Sequence, residues 1–147
     1  TLQSVDEVKE LHADMFSFYT REMAALDKAA VYSKPIILCM DYIYRHLHET
    51  IHTEDLAVHV GLGRSYLSTL FKKETGQTLS QYILSKRMEA AQNMLRFSEY
   101  TCAEIAATLA FSSQSHFNRV FRKQTGYTPK AFRNRFFRAS QIHESAL

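Results

Sequence analysis

The sequence predicts an all-α protein in which a long central helix joins two helix-turn-helix subdomains, with an extra helix in front of them. Three observations support this prediction. Apolar residues recur at intervals of three and four along the 147 residues, and no stretch alternates as a strand does. The segment 61–78 recurs fifty residues later as 111–128, with six of eighteen positions identical. Both copies end with Lys-x-Thr-Gly, at Gly76 and Gly126, and glycine commonly ends a helix.

The helix in front of the repeats is predicted from a capping box formed by Ser4 and Glu7. It should run to about Ala30, so that residues 1–34 form an N-terminal linker helix. Its apolar spacing suits a short coiled coil and packing onto the rest of the domain equally well. The residues with this spacing are Val8, Leu11, Met15 and Phe18. The first residue is threonine, which suggests a fragment or a processed chain.

The first helix-turn-helix unit is expected over about 36–76. Pro35 marks the first turn of its opening helix. Gly61 can end a short second helix in a left-handed conformation, and Gly76 can end the basic third helix. The three helices are predicted at 36–49, at 53–60 (beginning at His52 or Thr53) and at 64–75.

The connecting helix and the second unit have equally clear start signals. Thr78 and Gln81 form a capping box for a helix over about 78–97, and Thr101 with Glu104 caps the next helix. Ser112 or Ser113 precedes the second basic helix, which Gly126 ends. Thr128 followed by Pro129 opens a last helix to about Arg138. The second unit is therefore predicted over about 101–138, with a frayed tail over 139–147.

The exposed faces of the two basic helices are the candidate binding surface. In a helix-turn-helix the second helix enters the DNA major groove while its other face packs on the core. Arginine matches guanine, and glutamine or asparagine matches adenine, whereas serine and threonine are less selective. The second copy should therefore read bases more strongly than the first. The predicted base contacts are Ser65, Ser68, Thr69, Gln114, Ser115, Asn118 and Arg119.

Basic residues beside these faces are candidates for phosphate contacts. Residues 53–138 hold thirteen Lys or Arg against six Asp or Glu, whereas residues 1–52 hold five against eight. Positive charge is therefore concentrated where the repeats lie, which favours a polyanionic partner. A solvated basic face is the simpler alternative for each residue. The predicted phosphate contacts are Arg64, Lys72, Lys73, His116, Arg122 and Lys123.

The length of the connecting helix suggests how both units could act on one duplex. About twenty residues rise about 30 Å along a helix, and successive major grooves on one face of DNA lie about 34 Å apart. A single chain could then insert two helices into successive grooves of double-stranded DNA. This geometry fails if the two helices face opposite sides.

With these motifs in hand, residues 36–138, about 70% of the chain, closely resemble the AraC/XylS family of bacterial transcription regulators. The resemblance rests on EDLAVHVGLGRSYLSTLFKKETGQTLSQYI, SKRMEAAQNML and EIAATLAFSSQSHFNRVFRKQTGYTP followed by AFR. It implies a seven-helix domain with two helix-turn-helix units. By motif position, the family's base-reading residues fall on Ser65, Ser68, Thr69, Gln114, Ser115 and Arg119.

Three residues depart from the family pattern. Thr69 stands where many members carry arginine, which puts direct readout by the first unit in doubt. Ala110 occupies a turn position that glycine often holds, so a left-handed conformation there would cost about 1 kcal/mol. Cys102 replaces a larger apolar residue, so the start of that helix is expected to pack loosely.

The resemblance also implies partners outside the described motifs. Family members commonly carry a separate domain that senses a small molecule and dimerises, and residues 1–35 are too short to be one. We therefore expect the DNA-binding part of an effector-responsive regulator, although a compact stand-alone regulator fits as well. Family habit favours an activator that contacts RNA polymerase. A homodimer could form through the N-terminal helix or the missing effector domain.

Other classes of function fit the sequence less well. There is no phosphate loop, nucleophile elbow or carboxylate cluster, so no enzyme and no cofactor are expected. His48 and His52 are four apart, but the helix is predicted to end between them, so no metal site is expected. No apolar run approaches 18 residues and no signal peptide is present, which predicts a cytoplasmic protein without a membrane partner. A helical protein-interaction module with only non-specific DNA affinity is the main alternative.

Overall fold

A computed structural model describes residues 31–145 of the chain, with side chains for residues 31–137. The described part is entirely helical, which confirms the predicted fold class. The helix predicted before Ala30 lies outside the described residues. The seven helices are α1 (Lys34–Arg45), α2 (Thr53–Val60), α3 (Arg64–Thr75), α4 (Leu79–Phe97), α5 (Cys102–Thr108), α6 (Gln114–Thr125) and α7 (Pro129–Ser145).

The chain divides into two compact units within helix α4. The first ends at Ile83 and the second begins at Leu84. In the first unit α1 contacts both α2 and α3, and α2 contacts α3. In the second unit α6 contacts both α5 and α7. Each unit therefore holds one pair of helices with helix-turn-helix order, α2–α3 or α5–α6, braced by a further helix.

Apolar side chains at helical spacing form the core of the first unit. Burial of such side chains is the main force that holds a small helical unit together. The ring of Tyr82 meets the ring of Phe71 edge-on at 5.2 Å. The side chains exposed by 1% or less are Ile36, Cys39, Ile43, Leu47, Leu56, Leu67 and Phe71.

A polar contact also fastens the start of α1 to the end of α3. The backbone N–H and the hydroxyl of Ser33 donate hydrogen bonds of 2.7 and 2.6 Å to the Glu74 carboxylate. Ser33 is the N-cap residue of α1. The carboxylate thus lies at the N-terminus of α1, where helix dipoles favour negative charge.

Aromatic rings dominate the core of the second unit. Phe117 and Phe121 of α6 are fully buried, with ring centroids 5.7 Å apart. Phe132 of α7 meets Phe121 edge-on at 5.4 Å, an arrangement that aromatic quadrupoles favour. These contacts fix one face of α6 against α7 and leave the opposite face outside the core.

Side-chain caps begin the last four helices, α4 to α7, at the residues that the sequence predicted. Thr78 accepts a hydrogen bond from the Gln81 N–H at 3.1 Å, and the Gln81 amide oxygen accepts one from the Thr78 N–H at 3.0 Å. Thr101, Ser113 and Thr128 each accept a hydrogen bond from the backbone N–H three residues on. A cap of this kind is worth about 1 kcal/mol.

Two predicted helix ends were wrong. Helix α1 ends at Arg45 rather than near Glu49, because His46 leaves helical geometry and a turn follows, closed by a hydrogen bond from the Glu49 N–H to the His46 carbonyl. Helix α7 continues to Ser145 rather than stopping near Arg138. The tail predicted to fray from residue 139 contains no glycine or proline to end the helix.

Gly61 and Ala110 occupy equivalent left-handed positions in the turns of the two units. Their φ angles are 74° and 60°. Beyond them, Leu62 N–H bonds the Ala57 carbonyl and Phe111 N–H bonds the Ala106 carbonyl, both at 3.0 Å. These are Schellman closures of α2 and α5. Ala110 thus adopts the left-handed conformation whose cost the sequence analysis considered.

Candidate nucleic-acid interface

Helices α3 and α6 each bury one face and expose the other. Leu67 and Phe71 of α3, like Phe117 and Phe121 of α6, are completely buried. Leu70 and Val120, predicted to face the core, are partly buried. The opposite faces carry six of the seven predicted base-contacting residues, all exposed: Ser65, Ser68, Thr69, Gln114, Ser115 and Arg119.

Asn118, the seventh predicted base contact, differs from the other six. Its side chain is partly buried, and its Oδ1 atom is fully buried without a hydrogen-bond partner among the described residues. An amide oxygen left in this state is costly. Asn118 therefore stands at the margin of the exposed face of α6, whereas Arg119 and Ser115 stand on it.

The exposed face of α3 is short of free polar groups. The Thr69 hydroxyl donates to the Ser65 carbonyl of its own helix at 3.0 Å. Arg64, a predicted phosphate contact, forms an ion pair with Glu54 of α2, with an N–O distance of 2.6 Å. Both partners of the pair are exposed, so it contributes little stability. It does, however, compete with any other anion for the Arg64 guanidinium.

The ends of α3 and α6 share the same turn. Thr75 donates to the Phe71 carbonyl at 2.7 Å and accepts from the Gln77 N–H at 3.2 Å. Thr125 makes the equivalent two bonds at the same two distances. The glycines that follow have φ angles of 78° and 83°. The repeat seen in the sequence is thus a repeat of hydrogen-bond geometry.

Each of these turns adjoins a basic pocket. In the first unit the pocket has a volume of about 580 Å³ and is lined by Lys72, Lys73 and hydroxyl groups that include Thr78. In the second unit it has a volume of about 680 Å³ and is lined by Arg119, Arg122, Lys123, Ser115, Asn118 and Thr128. Lysine, arginine and hydroxyl side chains are the usual contacts to phosphate oxygens in DNA complexes. Four of the six predicted phosphate contacts therefore line the two pockets.

His116, another predicted phosphate contact, is held in place by its own turn. Its Nδ1 atom lies 3.2 Å from the Ser112 hydroxyl, and its ring meets the Phe111 ring edge-on at 5.6 Å. One ring nitrogen is thus engaged locally. The Nε2 atom has no partner among the described residues, in keeping with a supporting role at the start of α6.

Tyr66 is a feature of this surface that the sequence reasoning missed. It lies on the first turn of α3 and is 61% exposed. The signal was present, because aligning the repeats places Tyr66 opposite His116. The sequence predicts a DNA contact at His116 but not at its counterpart, Tyr66.

Comparison with known proteins bears on this surface. A sequence family described as a helix-turn-helix domain matches residues 56–135. The fold also matches the DNA-binding domain of the global transcriptional factor AdpA, whose structure was solved in complex with a target DNA. The TM-score is 0.68 and the identity 30%, over 75% of this chain and 98% of that chain.

Three relatives show how much of a regulator this chain represents. It is 39% identical over 105 residues to the regulatory protein PocR of Salmonella typhimurium, covering 71% of the chain and 33% of PocR. It is 33% identical over 96 residues to the regulatory protein SoxS of the same organism, covering 65% of the chain and 90% of SoxS. It is 36% identical over 95 residues to the F1 operon positive regulatory protein of Yersinia pestis, covering 64% of the chain and 32% of that protein.

The fold, the exposed helix faces and the basic pockets define a tandem helix-turn-helix DNA-binding domain. The matched family and relatives make the class more specific, and the chain belongs to the AraC/XylS family of transcription regulators. The chain therefore holds a sequence-specific DNA-binding domain of a transcription regulator, as the sequence predicted, and the relatives that it matches are transcription regulators rather than enzymes. The chain spans about a third of the length of PocR. No helix within the described residues is long and apolar enough to cross a membrane.

Proposed function

We propose that this domain binds its operator with α3 and α6 in two successive major grooves of one duplex. The observation that carries the proposal is the duplicated surface, in which each unit has an exposed helix face beside a basic pocket. The 19 residues of α4 rise about 28 Å, which is close to the spacing of about 34 Å between successive grooves. The solved complex of the AdpA DNA-binding domain with a target DNA supports DNA binding by this fold.

The two units contribute unequally to sequence selection. Helix α6 offers Gln114 and Arg119, which can make bidentate contacts to adenine and guanine. Helix α3 offers short hydroxyl side chains, one of which is already bonded to its own helix. Base selection by α6 should therefore dominate, while α3 adds weaker base selection together with the phosphate contacts of Lys72 and Lys73.

The regulator acts as an activator and responds to an effector bound by another part of the protein. Activation is supported by the likeness to the positive regulatory protein of Yersinia pestis. An effector domain is supported by PocR, of which the chain covers a third, whereas SoxS, covered to 90%, supports a stand-alone regulator. Contact with RNA polymerase and formation of a homodimer belong to the same proposal.

Selection of bound sites from a randomised duplex pool, followed by fluorescence anisotropy at two salt concentrations, tests the mode of binding. Two selected blocks about ten base pairs apart are expected. Arg119→Ala should relax selection in one block, with a cost of about 1–3 kcal/mol. Thr69→Ala is the matched change on α3 and should have a smaller effect.

Two other outcomes would contradict parts of the proposal. A single selected block would mean that α3 contacts only the phosphate backbone. No enrichment, with binding that vanishes as salt rises, would favour a helical protein-interaction module with non-specific DNA affinity. A specific reader should prefer its site over bulk DNA by about 10³-fold or more.

A further inference from the structure

We propose that Tyr66 is the specificity-determining residue of the first unit, and that its ring contacts the methyl group of a thymine in the major groove. This inference rests on the proposed entry of α3 into that groove. It concerns a residue outside the set that the sequence analysis selected for base contact. It also explains how a helix whose predicted base contacts are all short hydroxyl side chains could select a base.

The first argument is the position of Tyr66. It is the third residue of α3, which begins at Arg64. Recognition helices place their N-terminal residues nearest the base edges. With 3.6 residues per turn, Tyr66, Thr69 and Lys73 lie along one stripe of α3. All three of these side chains are exposed.

The second argument is the exposure of the ring. Tyr66 is 61% exposed, and its side chain makes no hydrogen bond or ring contact within the described part of the chain. Its counterpart His116 is held by the Ser112 hydroxyl and the Phe111 ring. The residues at the matching positions of the first unit are Leu62 and Gly61, which offer neither a hydroxyl nor a ring. Tyr66 therefore extends outward from α3 without support from its own turn.

The third argument is that other polar groups of α3 are already engaged or suited to phosphate. Arg64 is paired with Glu54, and the Thr69 hydroxyl is bonded to the Ser65 carbonyl. Lys72 and Lys73 line the pocket suited to phosphate. Among the large apolar side chains of α3, that of Tyr66 is the exposed one, and the apolar feature of the major groove is the thymine methyl. The Tyr66 ring is therefore the apolar group that can contact this methyl.

Substitution of the operator's thymines one at a time by deoxyuridine tests the assignment, because this change removes only the methyl group. The wild-type domain should lose about fourfold in affinity at one thymine of the α3 half-site, the factor expected for one buried methyl. Tyr66→Ala should bind the thymine operator more weakly and should no longer distinguish thymine from deoxyuridine at that position. Tyr66→Phe keeps the ring and should behave as the wild type does.

The control is Val58→Ala, which removes another exposed apolar side chain, 82% exposed on α2, and should change neither affinity nor methyl dependence. Thermal unfolding of each variant, followed by circular dichroism, separates loss of contact from loss of fold. Wild-type binding by Tyr66→Ala would overturn the assignment. So would equal losses in Tyr66→Phe and Tyr66→Ala, since the hydroxyl would then be making the contact. If the wild type itself selects no site, the failure lies in the proposed function rather than in Tyr66.

Discussion

Ala110 is the residue at which the second turn is strained. It holds a φ of 60°, in a left-handed region that costs an alanine about 1 kcal/mol because its Cβ crowds the following carbonyl oxygen. Gly61 holds the equivalent position in the first unit without that cost. Ala110→Gly should therefore raise the free energy of unfolding of the second unit by several tenths of a kcal/mol, since the added freedom of the unfolded chain offsets part of the gain. Urea denaturation followed by circular dichroism measures the change.

The matched control is Ala103→Gly, an exposed position inside α5. There the same substitution should lower the free energy of unfolding by up to about 1 kcal/mol. If both glycine variants are destabilised alike, the left-handed strain at Ala110 is not a source of instability.

The two cysteines should differ in reactivity. Cys39 is fully buried, and burial raises the pKa of its thiol to about 12. Cys102, expected from the sequence to pack loosely, is only partly buried. At pH 9 iodoacetamide should modify Cys102 quickly and Cys39 only as fast as the first unit opens, because the thiolate is the nucleophile. Mass spectrometry of a time course measures both rates, and equal rates in the folded protein would contradict the burial of Cys39.

The same shift has a consequence for stability. The pKa of Cys39 in the folded state exceeds the unfolded value of about 8.5, so the folded state binds the proton more tightly. The stabilisation of the folded state by the protonated Cys39 thiol is complete below pH 8.5 and is lost as the pH rises toward 12. The urea midpoint should therefore fall over that range, and Cys39→Ala should lessen the part of the fall that this thiol causes.

At the scale of helices, Arg133 connects two elements of the second unit. Its guanidinium on α7 donates to the carbonyls of Leu95, Met94 and Ser98, at 3.1, 3.4 and 3.2 Å. These carbonyls lie at or just beyond the C-terminal end of α4, where helices favour a cation. Arg133→Gln should destabilise the second unit by about 2 kcal/mol, the scale of a lost charged hydrogen bond.

Arg135→Gln is the control on the same helix. Arg135 is exposed and lies over the rings of Tyr127 and Phe136 at 5.7 and 5.9 Å, contacts worth less than about 1 kcal/mol. Differential scanning calorimetry compares the two variants. Equal melting temperatures would show that the Arg133 bonds add no net stability.

Most helix boundaries could be predicted because their signals are local. Thr78 and Gln81 are three residues apart and cap each other directly. The contacts of Arg133 and Ser33 join residues 35 to 41 positions apart, and no spacing rule connects such pairs. The end of α1 was missed for a related reason, because a helical pattern of apolar residues continues to Leu47 through the turn that begins at His46.

At the scale of the whole molecule, the basic pockets should set the salt dependence of binding. Each phosphate contact releases about 0.9 counterion. The double variant Lys72→Gln, Lys73→Gln should therefore reduce the slope of log K against log salt by up to about 2, without changing the preferred sequence. The double variant Arg122→Gln, Lys123→Gln should reduce the slope by the same amount.

Lys34→Gln provides the control, because Lys34 begins α1 rather than lining either pocket. Anisotropy at four salt concentrations measures the slopes. An unchanged slope in both double variants would remove these lysines and arginines from the set of phosphate contacts.

Some features of the candidate site could be predicted from the sequence and others could not. The exposed faces of α3 and α6 follow from helical period alone, since Leu67 and Phe117 identify the buried side. The engagement of Arg64 by Glu54 and the burial of the Asn118 amide oxygen depend on how neighbouring helices pack. The exposure of Tyr66 also depends on packing, because tyrosine is intermediate in its tendency to be buried.

The matching turns at Thr75 and Thr125 show which features the two copies share and which differ. The framework hydrogen bonds are the same in both copies, while the outward residues differ, with serine and threonine in the first copy and glutamine and arginine in the second. The residues that maintain the fold are therefore different from the residues proposed to select the DNA sequence. A few substitutions on the outward faces should therefore change the DNA sequence that such a domain selects while leaving its folding nearly unchanged.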